Sequence, residues 1–237
     1  MNLVVLKTDI GQLFTLAIEE SRLSNLGGHT ENVTLKLLTD IRVQGEIVKY
    51  DTRDGIIAVI NNAGKLFISC QRQKDLHQIF GKWETHQNGF FVRNLIPLGK
   101  NLKFKDVSVG NKHLICVDHL DRVFGIGCNK SGQLGGAKKI KKYKKLTRTM
   151  KSFSHFKNSN RKTNRIRFVE CGHDSTVFCV ENIDSFGNVE SCFLVYRGRN
   201  ESRFCQVMPK VSVNAKQVVL VQDVVFVASS YENPPSN

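Results

Sequence analysis

The sequence predicts an all-β protein, a propeller-like array of about four to five antiparallel blades. Three observations predict it. Glycine is frequent (18) and proline scarce (4) among 237 residues, and short apolar runs are broken by turn residues every few positions, the mark of many short strands. Five hairpin-like segments recur along the chain. A phenylalanine returns in the second strand of the first three, at Phe14, Phe67 and Phe124, with spacings of 53 and 57 and a further step of 69 to Phe193. Units of about 55 residues, each offering about four strands, describe propeller blades.

The hairpins read in order as follows. Leu3–Leu6 turns at Gly11 into Gln12–Leu16, and Ile56–Ile60 turns through Asn61–Gly64 into Lys65–Ile68. Leu114–Val117 turns at Asp121 into Arg122–Ile126, and Thr176–Val180 takes a long turn from Asn182 to Glu190 before Cys192–Tyr196. Val218–Val221 turns tightly at Gln222-Asp223 into Val224–Val227. Further strands are expected at Val33–Leu38, at Phe90–Leu95 after the turn signal Asn88-Gly89, and at Phe204–Met208. Unbroken apolar runs imply strands buried on both faces, as stacked blades require. One internal match is sharper: Val107–Val117 parallels Val211–Val221 with five identical positions.

Composition bounds the class. Apolar content of 41% and charged content of 24% are ordinary for a globular protein. No window approaches eighteen consecutive apolar residues, so no membrane-spanning helix is expected. The N-terminus is apolar for only four residues before charge arrives, too short for a signal-peptide core. The seven cysteines include no C-x-x-C pair, and Cys116 and Cys179 sit inside apolar runs. Cysteine there is a small core residue, and a reducing compartment, nucleus or cytoplasm, is expected.

The formal charge of +14 is concentrated. Between Ala137 and Arg167 lie thirteen Lys or Arg and no Asp or Glu. Removing them from the total of 35 leaves 22 basic residues against 21 acidic ones, so the rest of the chain is nearly neutral. The run opens with Lys138, Lys139, Lys141, Lys142, Lys144 and Lys145 and continues through Arg148. Ile140, Tyr143, Leu146, Met150 and Phe153 recur every three or four residues, which on a helix would form one apolar stripe. A basic insertion at about 137–165, mobile or helical, is therefore expected. It would serve nuclear import or polyanion binding, nucleic acid included. The plain alternative is a solvated loop between blades.

Catalytic and metal chemistry find little support. Cys171 with His173, and His113 with Cys116 and His119, lack the paired spacing of a structural zinc site. No nucleophile elbow, P-loop, dinucleotide fingerprint or H-E-x-x-H is present, and the acids Asp51, Asp54, Asp118, Asp121 and Asp184 are scattered in turns. No catalytic residue, cofactor or metal is expected. Trp83, the single tryptophan, reads as a core residue before an interface anchor.

The stretch from Val107 to Val117, with Gly110 three residues before His113, continues through Arg122–Gly127 and ends in Gly132-Gln133-Leu134-Gly135. It resembles a repeat of the regulator of chromosome condensation family. Val169–Val177, with Gly172, is similar to the start of a second copy. Gly132 and Gly135 suit positive φ where the chain swings between blades, and Gly125 and Gly127 suit close backbone approach. The resemblance implies a repeat domain over 1–230, followed by a disordered tail at 231–237. Family rings usually hold about seven blades. This chain has room for four or five, so the ring is incomplete, smaller, or completed by a partner. The function implied is a non-catalytic scaffold for a protein partner, nucleic acid being a second partner through the basic loop. The alternative is guanine-nucleotide exchange on a small GTPase.

Overall fold

The computed structural model describes residues 3–8, 13–20, 31–37, 44–70, 96–99, 101–135, 140–150, 163–198, 205–207, 215–221 and 224–229. Every regular element among them is a strand. The chain divides into two compact units, Met1–Lys103 and Phe104–Asn237.

The first unit holds two sheets. β1 (Leu3–Lys7), β2 (Leu13–Glu20) and β3 (Glu31–Leu37) form one, in that order. β4 (Ile47–Arg53), β5 (Ile56–Asn61), β6 (Leu66–Cys70) and β7 (Ile96–Leu98) form the other. All pairings are antiparallel, with Leu6 opposite Phe14 and Val59 opposite Phe67. β5 is buried along its whole length, as its unbroken apolar run implies. Asp54 and Gly55 turn β4 into β5 at φ +50 and +78. Two positive-φ residues make the tight turn whose twist matches the flanking strands, and Asp-Gly is its usual sequence.

The second unit repeats the plan. β8 (Phe104–Val109), β9 (His113–Asp118), β10 (Val123–Cys128) and β11 (Lys142–Met150) form one four-stranded sheet. β12 (Thr163–Cys171), β13 (Ser175–Ile183), β14 (Val189–Gly198) and β15 (Cys205–Val207) form the next. β16 (Ala215–Val221) and β17 (Val224–Ser229) pair as a hairpin, with β16 the counterpart of β9 in the internal match. The two four-stranded sheets share a core. Ile115, Val117, Val123 and Leu134 from the first meet Ile166, Phe178, Val180, Phe193 and Val195 from the second. Each fully buried side chain of this size contributes about 1.5–3 kcal/mol of transfer free energy.

All five hairpins read from the sequence are present, as β1–β2, β5–β6, β9–β10, β13–β14 and β16–β17. The strands expected at Val33–Leu38 and Phe204–Met208 are β3 and β15. The strand expected at Phe90–Leu95, together with Trp83 and the 231–237 tail, lies outside the described residues.

One expectation is corrected. The basic segment is not helical over Lys142–Met150; that stretch is β11, the outer strand of its sheet. The apolar spacing misled because β11 is bulged twice. Tyr143 and Met150 are seven apart, which puts them on opposite faces of a regular strand. Extra residues between Arg148 and Met150, and between Tyr143 and Thr147, bring these two opposite Gly127 and Val123. Those partners lie an even number apart on β10, so Tyr143 and Met150 both pack on the shared core.

Candidate functional site

The repeat motif builds its site from the backbone outward. The Gly110 N–H donates to the His113 carbonyl at 2.8 Å, closing the loop between β8 and β9. The His113 imidazole lies directly over Gly110, since a Cβ there would fall 2.0 Å from its Cε1. That is why the motif pairs a glycine with a following histidine. His113 is buried and its Nε2 meets Thr176 Oγ1 of the next sheet at 3.2 Å. Gly172 repeats the loop, its N–H donating to the Ser175 carbonyl at 2.9 Å. In this second copy Ser175 takes the place of His113. His173 is exposed, with its Nε2 2.6 Å from Asn111 Nδ2.

The terminal Gly-Gln-Leu-Gly folds around Asn129. Asn129 Oδ1 accepts the Leu134 N–H at 2.9 Å, and the Gly132 N–H reaches the Asn129 carbonyl at 3.1 Å. Gly132 and Gly135 have φ of +77 and +73, and Gly127 has +103, so all three occupy left-handed backbone that favours glycine. Gln133 is buried and accepts the Ser131 N–H at 3.0 Å, while Leu134 enters the shared core. Asn129 also fixes the start of the basic strand. Its Nδ2 donates to the Ile140 carbonyl at 2.9 Å, and its N–H donates to the Lys141 carbonyl at 2.8 Å. The turn that defines the repeat is thus the anchor of the basic segment.

Of the expected basic arm, Lys141, Lys142 and Arg148 are exposed at and along β11. Lys144 and Lys145 belong to the same strand, and Lys138 and Lys139 lie outside the described residues. Arg165 is exposed but paired, donating to Glu181 Oε2 at 2.7 and 2.9 Å from two nitrogens. Arg167 Nε lies 3.7 Å from Glu181 Oε1.

The histidine and cysteine sets do not converge. Cys171 is buried, its Sγ 3.4 Å from the Ser108 carbonyl, while His173 faces outward. His113 bonds across to Thr176, the Cys116 thiol donates to the Phe124 carbonyl at 3.8 Å, and His119 is exposed in the turn after β9. Burial pushes the Cys116 thiol well above its usual range.

Sequence reasoning missed the polar residues that join the sheets. Asp106 accepts the Val169 N–H at 2.7 Å, and Ser108 Oγ accepts the Cys171 N–H at 2.9 Å. Asp121 Oδ1 accepts the Ile166 N–H at 2.8 Å and the Lys105 Nζ at 2.7 Å, while Nζ also donates to the Ile166 carbonyl at 2.6 Å. The signal in the sequence was alternation. Asp106 and Ser108 are two apart in β8, hence on one face, between Phe104, Val107 and Val109, and both are buried.

Four-stranded antiparallel sheets that stack face to face and lock through their first strands are blades, and they define a β-propeller-type repeat protein. No protein-family model and no curated protein sequence matches the chain. Solved structures do match. Human WBSCR16 superimposes with a TM-score of 0.68 at 11% identity, over 98% of this chain and 56% of that one. Yeast RCC1 (Prp20), solved bound to Kap60, gives 0.58 at 14% identity over 96% and 52%. Prp20p from Saccharomyces cerevisiae, described with its binding to Gsp1p and histones, gives 0.54 at 14% over 92% and 52%. The fold is therefore of the regulator of chromosome condensation type, and the chain spans about half the length of these structures.

Proposed function

We propose that this chain is a non-catalytic interaction scaffold of the nucleus or cytoplasm. It docks a protein partner through the loops that join its strands and a polyanion, nucleic acid foremost, through its basic segment. The observation that carries this reading is the tie between the Asn129–Gly135 turn and β11, which holds Lys141 just before the strand and Lys142 and Arg148 along it. Cations placed on a strand need less ordering on binding than cations on a loose loop. Phosphate contact then gains from counterion release and weakens steeply with salt. The likeness to Prp20, solved bound to Kap60 and described with binding to Gsp1p and histones, supports a protein partner for this chain.

That same likeness favours a second reading, nucleotide exchange on a small GTPase. Exchange opens a nucleotide site by wedging and makes no bond, so it needs no catalytic motif. The purified protein should be tested for accelerated nucleotide release from a panel of small GTPases. No acceleration supports the scaffold, and acceleration overturns it in favour of exchange.

A further inference from the structure

Cys179 and Cys192 meet on one face of the β13–β14 ladder. The register sets Cys179 opposite Leu194 and Cys192 opposite Glu181, making the cysteines diagonal neighbours, and their sulfurs lie 3.9 Å apart. Their face carries Val177, Leu194, Phe168 and Tyr196, and it is the reverse of the face that enters the shared core. Cys179 is buried and Cys192 is half-buried, so Cys192 is the less enclosed of the two.

We propose that Cys179 and Cys192 form a peroxide-responsive dithiol, in which Cys192 is oxidised first and Cys179 closes a cross-strand disulfide. In the first step the Cys192 thiolate attacks one oxygen of hydrogen peroxide. An S–O bond forms, the O–O bond breaks, and the departing hydroxide takes a proton from solvent to leave as water. Sulfur is oxidised to the sulfenic acid and peroxide is reduced. In the second step Cys179 sulfur attacks the sulfenic sulfur, the S–S bond forms, and the hydroxyl leaves as water with the Cys179 proton. Closure brings the sulfurs from 3.9 Å to about 2.05 Å, the length of a disulfide. The ladder is already irregular between Asn182 and Ile183, close to the pair, which eases that movement.

The local chemistry assigns the order. The hydrogen bond from Cys179 holds the Cys192 thiol down to about 7, and Arg167 beside it acts in the same direction against burial and Glu181. The same hydrogen bond, together with burial, pushes the Cys179 thiol up. Cys192 is therefore the sulfur with substantial thiolate at neutral pH, the form that reacts with peroxide.

The test is oxidation of the intact protein with hydrogen peroxide, followed by mass measurement and a non-reducing digest. The expected result is loss of two hydrogens and a peptide linking Cys179 to Cys192, reversed by dithiothreitol. Cys179→Ser should stop at a Cys192 sulfenic acid trapped by dimedone, and Cys192→Ser should abolish the fast reaction. A wild-type digest that shows only added oxygen, or a link through other cysteines, overturns the proposal without needing either variant to fold.

Discussion

Asp106 on β8 accepts the backbone N–H of Val169 on β12 at 2.7 Å, while its other oxygen accepts the Val107 N–H at 3.0 Å. Two residues on, Ser108 does the same for Cys171, and Asp121 serves Ile166. β12 is the edge strand of its sheet, so N–H groups on its open side need partners. The preceding sheet supplies them from side chains. The bulge between Ile166 and Phe168 lets Ile166 and Val169, an odd number apart, present their N–H groups to that one neighbour.

Replacing Asp106 with alanine should cost about 1–3 kcal/mol, because it leaves a buried N–H without an acceptor. Asp106→Asn keeps one carbonyl oxygen and should lose less. Urea unfolding followed by fluorescence would measure both. Equal loss in the two variants would show that both carboxylate oxygens are needed as acceptors.

The glycines of the motif should respond differently to alanine. At Gly110 the new methyl meets the His113 ring at 2.0 Å and must displace it from Thr176. The expected cost is about 1–3 kcal/mol, as for other overpacked sites. At Gly132 nothing lies within 4 Å, and only the φ of +77 resists. There the cost should be about 1 kcal/mol. Thermal unfolding of the two variants should rank Gly110→Ala as the less stable.

Asp184 gives the β13–β14 tip a pH dependence. Its carboxylate accepts the N–H groups of Asn188 and Phe186, each at 2.8 Å, and the Asn188 bond foremost holds its pKa below the usual carboxylate value. A depressed folded-state pKa stabilises above the unfolded value of about 3.9. That contribution is lost as pH falls through the folded value. Hydrogen exchange at the Phe186 and Asn188 amides should therefore speed up, relative to the intrinsic rate, on acidification below pH about 4. Asp184→Asn should remove that dependence.

Neutralising Lys141, Lys142 and Arg148 together should flatten the salt dependence of polyanion binding. Each phosphate that no longer meets a cation reduces the slope of log affinity against log salt by about 0.9 on duplex DNA. Fluorescence anisotropy with a short duplex across a salt series would read the change. An unaltered slope would place the binding charges elsewhere; extending the substitution to Lys138, Lys139, Lys144 and Lys145 would then locate them.

The hairpins were legible because runs such as Ile56–Ile60 and Leu114–Val117 are apolar at every position and bounded by turn residues. β4 was harder, since Lys49, Asp51 and Arg53 dilute its apolar content and only Asp54-Gly55 marks its end. β11 was misread because its bulges put Tyr143 and Met150, seven residues apart, on one face, a separation that two helical turns also give. The left-handed glycines of the Gly132–Gly135 turn were foreseeable, as few other residues tolerate that backbone.

By itself the sequence determined the class of fold, the hairpins and the confinement of excess charge to one stretch, because each depends on local composition and period. Tertiary structure alone decided how sheets lock and where that charge is held. Asp106 and Val169 are 63 residues apart, and the acceptor matters only once an edge strand lies beside it. Asn129 likewise becomes the anchor of β11 only when the Gly-Gln-Leu-Gly turn brings the Ile140 and Lys141 carbonyls to it. A local pattern records which groups can bond; burial decides which of them must.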